Sequence, residues 1–386
     1  MPRNIVSQWI DYLETVARKR EISNNLELNF KESRANKTMV KSYPHRCYLE
    51  ITNQCNLRCP MCGQSWFEGK RTYISEPVLN KIKELFPYMQ EISVFGFGES
   101  LVDKRFFDIL AMIPRNIRKR YVSNGILMDQ KAAEKMIEYE LHDLYISMDA
   151  ACEDTFMFVR GQKGFERIVE NIKTLTKLKK QHNAEYPQVT MAYTFFRRNA
   201  EEFLNFIDLA HSLGVKRISG DYLIVYREDL IKESLYFDQP FANQIWRRAK
   251  EKASRLGIDL AIAKSFEDAE KEEKSSKMIL CYEPWEFVYF RSDGYIGPCC
   301  VNDIKLGDLN KYTFNEIWNG ELYQKFRQMV NTSRNDPNCT QCMGRGMRKI
   351  TDKSFHIKIL DKEGAVLGPE PVLEPTLSVG SGTVTV

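Results

Sequence analysis

The sequence predicts an α/β fold: a partial (β/α)6 barrel followed by a small C-terminal α+β domain built from a hairpin and a helix. Between residues 45 and 226, short apolar segments alternate with longer helical ones, which is the pattern of parallel βα units around a buried sheet. Polar residues or glycines end these apolar segments, as expected where a site lies at the carboxyl ends of barrel strands. After residue 281, alternating apolar residues flank a Ser-Asp-Gly turn, which indicates a β-hairpin.

The first elements are predicted from the spacing of apolar residues. Over residues 5–20 they recur at near-helical intervals, which predicts an amphipathic helix that packs on the main body. Residues 23–43 are polar and without a strong period, which predicts a connecting arm. The barrel then has predicted strands at 47–52, 91–99, 118–125, 143–150, 188–199 and 215–226, and predicted helices at 77–87, 104–112, 129–138, 164–181 and 200–213.

The second half of the chain is less regular. Residues 240–256 are predicted to form a charged helix, and 265–277 a solvated linker. The hairpin is predicted over 285–299 and a further helix over 315–327. The predicted parts are an N-terminal helix and arm (1–44), a barrel core (45–226), a linker and helical segment (227–280), an auxiliary domain (281–350) and a weakly ordered C-terminal tail (351–386).

The composition is that of an ordinary globular protein. The 386 residues include 56 basic and 52 acidic ones, a net charge of +4, so charge gives no reason to expect binding to nucleic acid or to an anionic membrane. We find no secretory signal pattern and no apolar run near the ~20 residues that span a bilayer, which predicts a cytoplasmic protein. In that reducing compartment, the ten cysteines indicate metal ligation or catalysis more than disulfides.

Three cysteines are grouped directly after the first predicted strand. Cys55, Cys59 and Cys62 have three and two residues between them, a spacing that lets all three reach one metal centre. Three thiolates on a four-iron cluster would leave one iron open to a small molecule. The residues alone also allow a zinc knuckle that lacks a ligand, or thiols that act as small apolar side chains.

A second group of cysteines lies in the predicted auxiliary domain. Seventeen residues separate Cys281 from Cys299, Cys300 follows at once, and Cys339 and Cys342 form a CxxC pair. Four thiolates brought together around a hairpin and a helix can hold zinc or a fully ligated 4Fe–4S cluster, and the spacing leaves both open.

Over roughly residues 45–225 the sequence resembles the radical S-adenosylmethionine (SAM) superfamily, through the cysteine loop and the GlyPheGlyGlu segment (96–99) that ends the second strand. The resemblance implies a 4Fe–4S cluster on Cys55, Cys59 and Cys62 whose open iron chelates SAM. An electron from the reduced cluster then yields methionine and a 5′-deoxyadenosyl radical, which abstracts a hydrogen atom from the substrate.

The resemblance also implies the residues that contact SAM. The glycine–glutamate motif would contact the methionine amino group. The ribose or the carboxylate would be bound by Ser147 and Asp149, and the methionine carboxylate would lie near Arg160. Read without the resemblance, the glycines can form a tight turn, Asp149 can cap a helix and Arg160 can lie on the surface. Met61 stands where an aromatic residue often packs on adenine, a contact that a thioether can also make. The complete implied set is Met61, Gly96, Gly98, Glu99, Ser123, Asn124, Ser147, Asp149, Arg160 and Asn199.

The later segment resembles the SPASM/twitch extension of these enzymes, through the AspGly turn, ProCysCys, LeuGlyAsp (306–308) and the GluIleTrp helix. Because no cysteine follows Cys342, the resemblance implies the shorter twitch form, with one auxiliary 4Fe–4S cluster and two clusters in all. The implied ligands are Cys281, Cys299, Cys339 and Cys342, with Cys299 favoured over Cys300 by the family spacing.

These features predict a radical SAM oxidoreductase that dehydrogenates, or otherwise modifies, a small metabolite or peptide, with the auxiliary cluster as electron acceptor. An external one-electron reductant such as a flavodoxin or ferredoxin would supply the electron. The alternatives are a redox-neutral epimerase or peptide maturase, for which Cys152 would be the hydrogen donor, and a non-enzymatic zinc-binding scaffold. Cys47 is predicted to be a core residue. The general base stays open among Asp221, Tyr222, Tyr226 and Asp303.

Overall fold

The computed structural model describes residues 22–66, 70–273, 279–300, 304–336, 339, 342 and 349–358. Ten of its strands form one sheet, in the order β10-β9-β8-β1-β2-β3-β4-β5-β6-β7. From β8 to β7 all neighbours are parallel, whereas β8, β9 and β10 pair antiparallel. The strands are β1 (Arg46–Leu49), β2 (Glu91–Val94), β3 (Arg118–Ser123), β4 (Asp143–Ser147), β5 (Gln188–Phe195), β6 (Arg217–Tyr222), β7 (Asp259–Ile262), β8 (Phe287–Phe290), β9 (Tyr295–Gly297) and β10 (Gly307–Asp308).

Helices connect the parallel strands, as the alternating pattern predicts. In the described ranges they are α1 (22–34), α2 (Glu76–Lys83), α3 (Phe106–Met112), α4 (Gln130–Glu138), α5 (Glu153–Arg160), α6 (Phe165–Gln181), α7 (Phe203–Ser212), α8 (Gln239–Leu256), α9 (Phe266–Glu273), α10 (Glu283–Glu286), α11 (Phe314–Trp318), α12 (Glu321–Met329) and α13 (Lys353–His356). This confirms the predicted α/β class and the open, partial barrel. Among these helices, none has both the length and the apolar character that crossing a membrane requires.

Alternation along each strand separates the two faces of the sheet. In β4, Leu144 and Ile146 are fully buried, whereas Tyr145 between them is only partly buried. Successive side chains of a strand point to opposite faces, so the apolar set packs on the helices and the other set lines the barrel interior. Burying each such side chain contributes about 1.5–3 kcal/mol, which is why the register of these strands is well specified.

The predicted hairpin is confirmed as β8 and β9, and it continues the barrel sheet. β8 pairs in parallel with β1, with Cys47 opposite Val288 and Leu49 opposite Phe290. Because parallel strands end at the same edge of a sheet, the turn after β8 lies beside the loop after β1. The hairpin of the predicted auxiliary part is thereby adjacent to the first cysteine loop.

The prediction of an arm over 23–43 is wrong for its first half, where the structure has helix α1. Its buried residues are polar and recur at helical spacing: Asn25, Asn29, Glu32 and Ser33. They bond to main chain and polar groups, as Asn29 Nδ2 does to the Trp285 carbonyl at 2.7 Å. A search for apolar periodicity misses such a helix because its inward face is held by hydrogen bonds.

Three further elements differ from the sequence prediction. The region 227–280 includes β7, which pairs with β6 (Ser219 opposite Ala261), and α9 forms where a solvated linker was predicted. β7 is a four-residue edge strand, too short to give a clear period. The helix predicted over 315–327 is divided into α11 and α12, which Asn319 and Gly320 separate. The predicted helix over 5–20 and the tail beyond 358 lie outside the described residues.

Arg327 joins three segments through main-chain carbonyls. It is buried, donates to the carbonyls of Thr38, Pro284 and Trp318 at 3.0, 3.0 and 2.7 Å, and stacks on the Trp318 ring. Burial lowers the pKa of its guanidinium to about 10. The charges of Tyr323 and Glu32 oppose this shift, but they are smaller than the cost of removing the guanidinium from water.

We expect Arg327→Ala to lower the free energy of unfolding by about 3–5 kcal/mol, because it leaves buried carbonyls without donors and opens a cavity. The midpoint of urea unfolding of the full chain measures this. The matched control is Arg115→Ala, whose side chain is 70% exposed and pairs with Glu140; it should change stability by no more than about 0.5 kcal/mol. Equal midpoints for the two variants would show that the Arg327 network is not stabilising.

Candidate metal centre and SAM site

The three cysteines of the first loop lie at the carboxyl ends of the strands, and donors from three places reach their sulfurs. The Leu57 N–H is 3.4 Å from Cys55 Sγ. Asn124 Nδ2, after β3, lies 3.9 Å from the same sulfur, and Arg160 Nη1, at the end of α5, lies 3.9 Å from Cys59 Sγ. N–H groups directed at sulfur stabilise thiolates and iron–sulfur clusters.

The thiols are close enough to affect one another. Burial raises the pKa of Cys55 to about 11; the Leu57 N–H opposes this, and the charges of Glu99, Cys59 and Cys62 add to it. Burial also raises the pKa of Cys62. A bound cation removes this penalty, because metal ligation replaces the protons.

The donor set suits a cluster more than a single ion. In a four-iron cluster each thiolate binds a different iron, so the three sulfurs need not meet at a point. Thiolates are also the ligands that iron–sulfur clusters use. The residues of this loop therefore fit a 4Fe–4S cluster.

The glycines after β2 are required by close packing. A Cβ on Gly98 would lie 2.5 Å from the Gln54 carbonyl oxygen and closer still to that of Thr52. The Glu99 N–H also donates to the Gln54 carbonyl at 2.8 Å. The segment 96–98 thus lies directly on the cysteine loop, and only a residue without a side chain fits at position 98.

The Glu99 carboxylate points into the protein. It accepts hydrogen bonds from the Tyr121 hydroxyl, from Ser123 Oγ at 3.2 Å and from the Asn124 N–H at 2.7 Å. Burial raises the pKa of Glu99, and the bond from Tyr121 opposes this rise. Glu99 therefore fixes Ser123 and Asn124 beside the cysteine loop. Its predicted contact with the methionine amino group stays a prediction.

Asp149 and Arg160 form a buried ion pair between the barrel and the cysteine loop. Asp149 adopts a positive φ of 59° and accepts from the Thr194 N–H at 2.6 Å. Its predicted alternative, a helix cap, does not hold, because Cys152 is the N-cap of α5. The alternative of a surface position for Arg160 is also wrong, because its side chain is only 11% exposed. Burial raises the pKa of Asp149, and the charge of Arg160 opposes this.

Arg160 keeps one donor without a partner: among the described residues, nothing accepts from its buried Nε. An unpaired buried donor is costly, and a bound carboxylate would satisfy it. Asn199, fully buried, donates from Nδ2 to the Asp149 and Thr194 carbonyls, both at 3.0 Å. It therefore holds the loop that carries Asp149, and its predicted contact with SAM stays a prediction.

The other predicted residues lie at the same edge. Ser147 is partly buried at the end of β4, in register with Ala192. Met61 is partly buried and packs on a small apolar cluster that includes Val159. Sequence reasoning missed Glu50, whose carboxylate is buried between this loop and the hairpin. The one indication in the sequence was that Glu50 is a charged residue within the otherwise largely apolar first predicted strand, 47–52.

Among the cysteines of the second group, Cys339 is buried, Cys281, Cys299 and Cys342 are partly buried, and Cys300 is exposed. Asn331 holds the main chain of Cys281, accepting from its N–H and donating to its carbonyl, both at 2.9 Å. The Cys342 N–H lies 3.3 Å from the Cys339 carbonyl, as in a CxxC turn. Although part of Cys300 reaches the surface, packing raises the pKa of its thiol, and the charges of Glu283 and Cys342 add to this. The choice of Cys299 over Cys300 stays a prediction.

Comparison with known families identifies the segments of the chain that carry the two groups of cysteines. The sequence profile of the radical SAM superfamily matches residues 49–210, and that of SPASM, an iron–sulfur cluster-binding domain, matches residues 281–343. The chain carries a radical SAM domain. A SPASM module follows it, and the cofactors of this radical SAM enzyme are 4Fe–4S clusters and SAM.

Characterised relatives match over most of the chain at low identity. The tungsten-containing aldehyde ferredoxin oxidoreductase cofactor-modifying protein of Pyrococcus furiosus is 23% identical over 323 residues (76% of this chain, 86% of the relative). The AdoMet-dependent heme synthase of Methanosarcina barkeri is 24% identical over 312 residues (74% and 85%). The sporulation killing factor maturation protein SkfB of Bacillus subtilis is 28% identical over 281 residues (71% and 64%).

Solved structures share the fold. Streptococcus suis SuiB superposes with a TM-score of 0.61 at 14% identity, covering 79% of this chain and 72% of that one. The enzyme anSMEcpe with bound AdoMet gives a TM-score of 0.57 at 18% identity, covering 77% and 85%.

Proposed function

We propose that this enzyme cleaves SAM reductively at the Cys55–Cys59–Cys62 cluster and uses the resulting radical to abstract a hydrogen atom from its substrate. The observation that carries the proposal is the cysteine loop itself, where Leu57 and Asn124 direct N–H donors at the Cys55 sulfur and Arg160 directs one at the Cys59 sulfur. When bound, a cluster with three protein ligands supplies an electron and an open iron for SAM.

The surrounding side chains are suited to hold SAM. Arg160 presents an unpaired buried donor that a methionine carboxylate would satisfy. We assign the main chain of 96–98, which packs closely on the cysteine loop at Gly98, to the methionine amino group. Ser147 ends β4 opposite Ala192 of β5 and faces the barrel interior, and we assign it to the ribose.

For the reaction, we propose oxidation by dehydrogenation, with the auxiliary cluster on Cys281, Cys299, Cys339 and Cys342 as acceptor of the second electron. A cluster with four protein ligands has no open iron, so electron transfer is the chemistry left to it. The auxiliary hairpin extends the barrel sheet through the β8–β1 pairing, so the module that carries these cysteines is built onto the barrel, which supports this role.

The oxidation also needs a group that accepts a proton. Asp221 pairs in register with Thr194, and its neighbour Tyr222 stacks on Trp246 on the helix side, so Asp221 faces the barrel interior. Although the Asp221 side chain is exposed, the protein packed around it raises the pKa of its carboxyl, which makes the carboxylate a stronger base. Tyr222 donates to the Lys264 carbonyl at 2.9 Å and is structural. Asp303 lies outside the described residues.

The relatives indicate the substrate class. One relative is a cofactor-modifying protein, another is a heme synthase, and a third is a maturation protein of a sporulation killing factor. SuiB has been solved with its precursor peptide SuiA. We propose a peptide or a small cofactor-like metabolite as substrate, and a flavodoxin or ferredoxin as cytoplasmic electron donor, with no nucleic-acid partner.

A redox-neutral reaction is the second candidate. Cys152 is exposed, follows Asp149 by three positions and lies 3.6 Å from a Glu202 oxygen, so it can act as a hydrogen donor near the site. Solvent deuterium retained at carbon in an unoxidised product would identify that route. An oxidised product formed with consumption of one SAM supports dehydrogenation.

Iron content tests the auxiliary site. We expect the anaerobically purified enzyme to be brown and to hold about eight irons, and the double variant Cys281→Ala/Cys339→Ala to hold about four. Because the first cluster is intact, this variant should still form 5′-deoxyadenosine from SAM after reduction. Eight irons in the variant would refute the ligand assignment, and zinc in place of iron would favour a scaffold protein.

A further inference from the structure

Glu50 is a buried carboxylate that joins two parts of the site. It directly follows β1 and is 4% exposed. Its Oε2 accepts from the Phe97 N–H at 2.8 Å and from the Tyr289 hydroxyl at 2.7 Å. Its Oε1 accepts from the N–H and the hydroxyl of Ser292, at 3.1 and 2.7 Å. Four donors satisfy a charge that would otherwise be costly to bury.

These donors come from separate elements. Phe97 lies between the two glycines of the loop after β2, whereas Tyr289 belongs to β8 and Ser292 to the turn of the auxiliary hairpin. In the described part of the chain, the Glu50 carboxylate has no ion pair, so neutral donors alone hold it. Burial and the charge of Glu50 raise the pKa of Tyr289, which keeps this hydroxyl a donor.

The first glycine of the loop is shaped by the same carboxylate. A Cβ on Gly96 would lie 2.5 Å from Glu50 Oε2 and 2.6 Å from its Cβ. Gly96 is therefore required because Glu50 occupies the space, and Gly98 because the cysteine loop does. The Phe97 peptide is thus held from one side by Glu50 and from the other by the loop of the first cluster.

We propose that Glu50 is a positioning residue that fixes the SAM-binding main chain at Phe97 to the auxiliary hairpin at Tyr289 and Ser292. The inference rests on the proposed function, since it assigns the 96–98 main chain to SAM. Through Glu50, affinity for SAM depends on a hydrogen-bond network that is anchored in the auxiliary module.

The test is the affinity of the reconstituted enzyme for SAM. It is measured by titrating SAM and recording the change in the EPR signal of the reduced first cluster. We expect Glu50→Ala to raise the Kd for SAM at least ~10-fold, which corresponds to about 1.4 kcal/mol. Glu50→Gln keeps a carbonyl oxygen for the Phe97 N–H and the Tyr289 hydroxyl and leaves the Ser292 N–H without an acceptor, so its Kd should rise less than that of Glu50→Ala and stay within about threefold of wild type. Glu32→Ala, the matched control, removes another buried carboxylate, which accepts from the main-chain N–H groups of Lys41 and Ser42, and should bind SAM as wild type does.

A second variant keeps the test decisive if Glu50→Ala does not fold. Glu50→Asp retains the charge but is one methylene shorter, so it cannot reach Phe97 and the hairpin together; its Kd should rise by about three- to tenfold. A folded, fully iron-loaded Glu50→Ala or Glu50→Asp enzyme with wild-type SAM affinity overturns the inference, even if its melting temperature falls. A wild-type enzyme that fails to bind SAM would instead overturn the proposed function.

Discussion

Replacing Cys59 by alanine is expected to abolish 5′-deoxyadenosine formation and to lower the iron content by about four atoms per chain. Cys59 is the buried member of the loop, and Arg160 lies 3.9 Å from its sulfur. Two remaining thiolates cannot hold a four-iron cluster against loss of iron, so the loss of activity should be complete. Iron analysis and chromatography of the SAM cleavage products measure both effects.

The matched control is Cys152→Ala, a thiol that is exposed and outside both cysteine groups. It should keep all iron and cleave SAM at the wild-type rate, whichever reaction the substrate undergoes. If Cys59→Ala retained its iron and its cleavage rate, the assignment of this loop to the catalytic cluster would be wrong.

The second large effect is expected from Gly98→Ala. The added methyl group would lie 2.5 Å from the Gln54 carbonyl and closer to that of Thr52, and both are main-chain atoms of the cysteine loop. Because neither main-chain atom can rotate away, the segment 96–98 and the cysteine loop must move apart. A displacement on the order of 1 Å at a reacting centre costs about 100-fold in rate, and we expect at least that loss in SAM cleavage.

Gly63→Ala provides the control for a glycine within the cysteine loop. Its added Cβ would meet only Phe97 Cε1, at 3.5 Å, an ordinary contact. Cleavage of SAM by Gly63→Ala should remain within about threefold of wild type. Comparable rates for the two variants would show that the close packing at Gly98 does not position SAM.

Much of the fold can be predicted because its core is apolar. Residues such as Leu144 and Ile146 alternate with partly exposed ones, and this pattern is sufficient to predict the six barrel strands and five of the helices between them, but not the short helix α5 that ends at Arg160. The cysteine spacings and the GlyPheGlyGlu segment likewise predict the cluster loop, because few other arrangements bring three thiols together directly after a strand.

The parts that escaped prediction are held by polar contacts across long sequence separations. Helix α1 buries asparagines and a glutamate, so it has no apolar stripe. Glu50 meets Tyr289, 239 positions away, and Arg327 meets Thr38, 289 positions away. No local pattern encodes such pairs, since each partner alone resembles a surface residue. The inward turn of Glu99 and the burial of Arg160 also depend on tertiary packing.

The central claim is that the loop of Cys55, Cys59 and Cys62 turns SAM into a radical source. The most direct measurement is the formation of 5′-deoxyadenosine by the anaerobically reconstituted full chain after reduction with dithionite in the presence of SAM. We expect 5′-deoxyadenosine and methionine in equal amounts, and neither without the reductant. An enzyme loaded with iron that binds SAM yet forms no 5′-deoxyadenosine would contradict the claim.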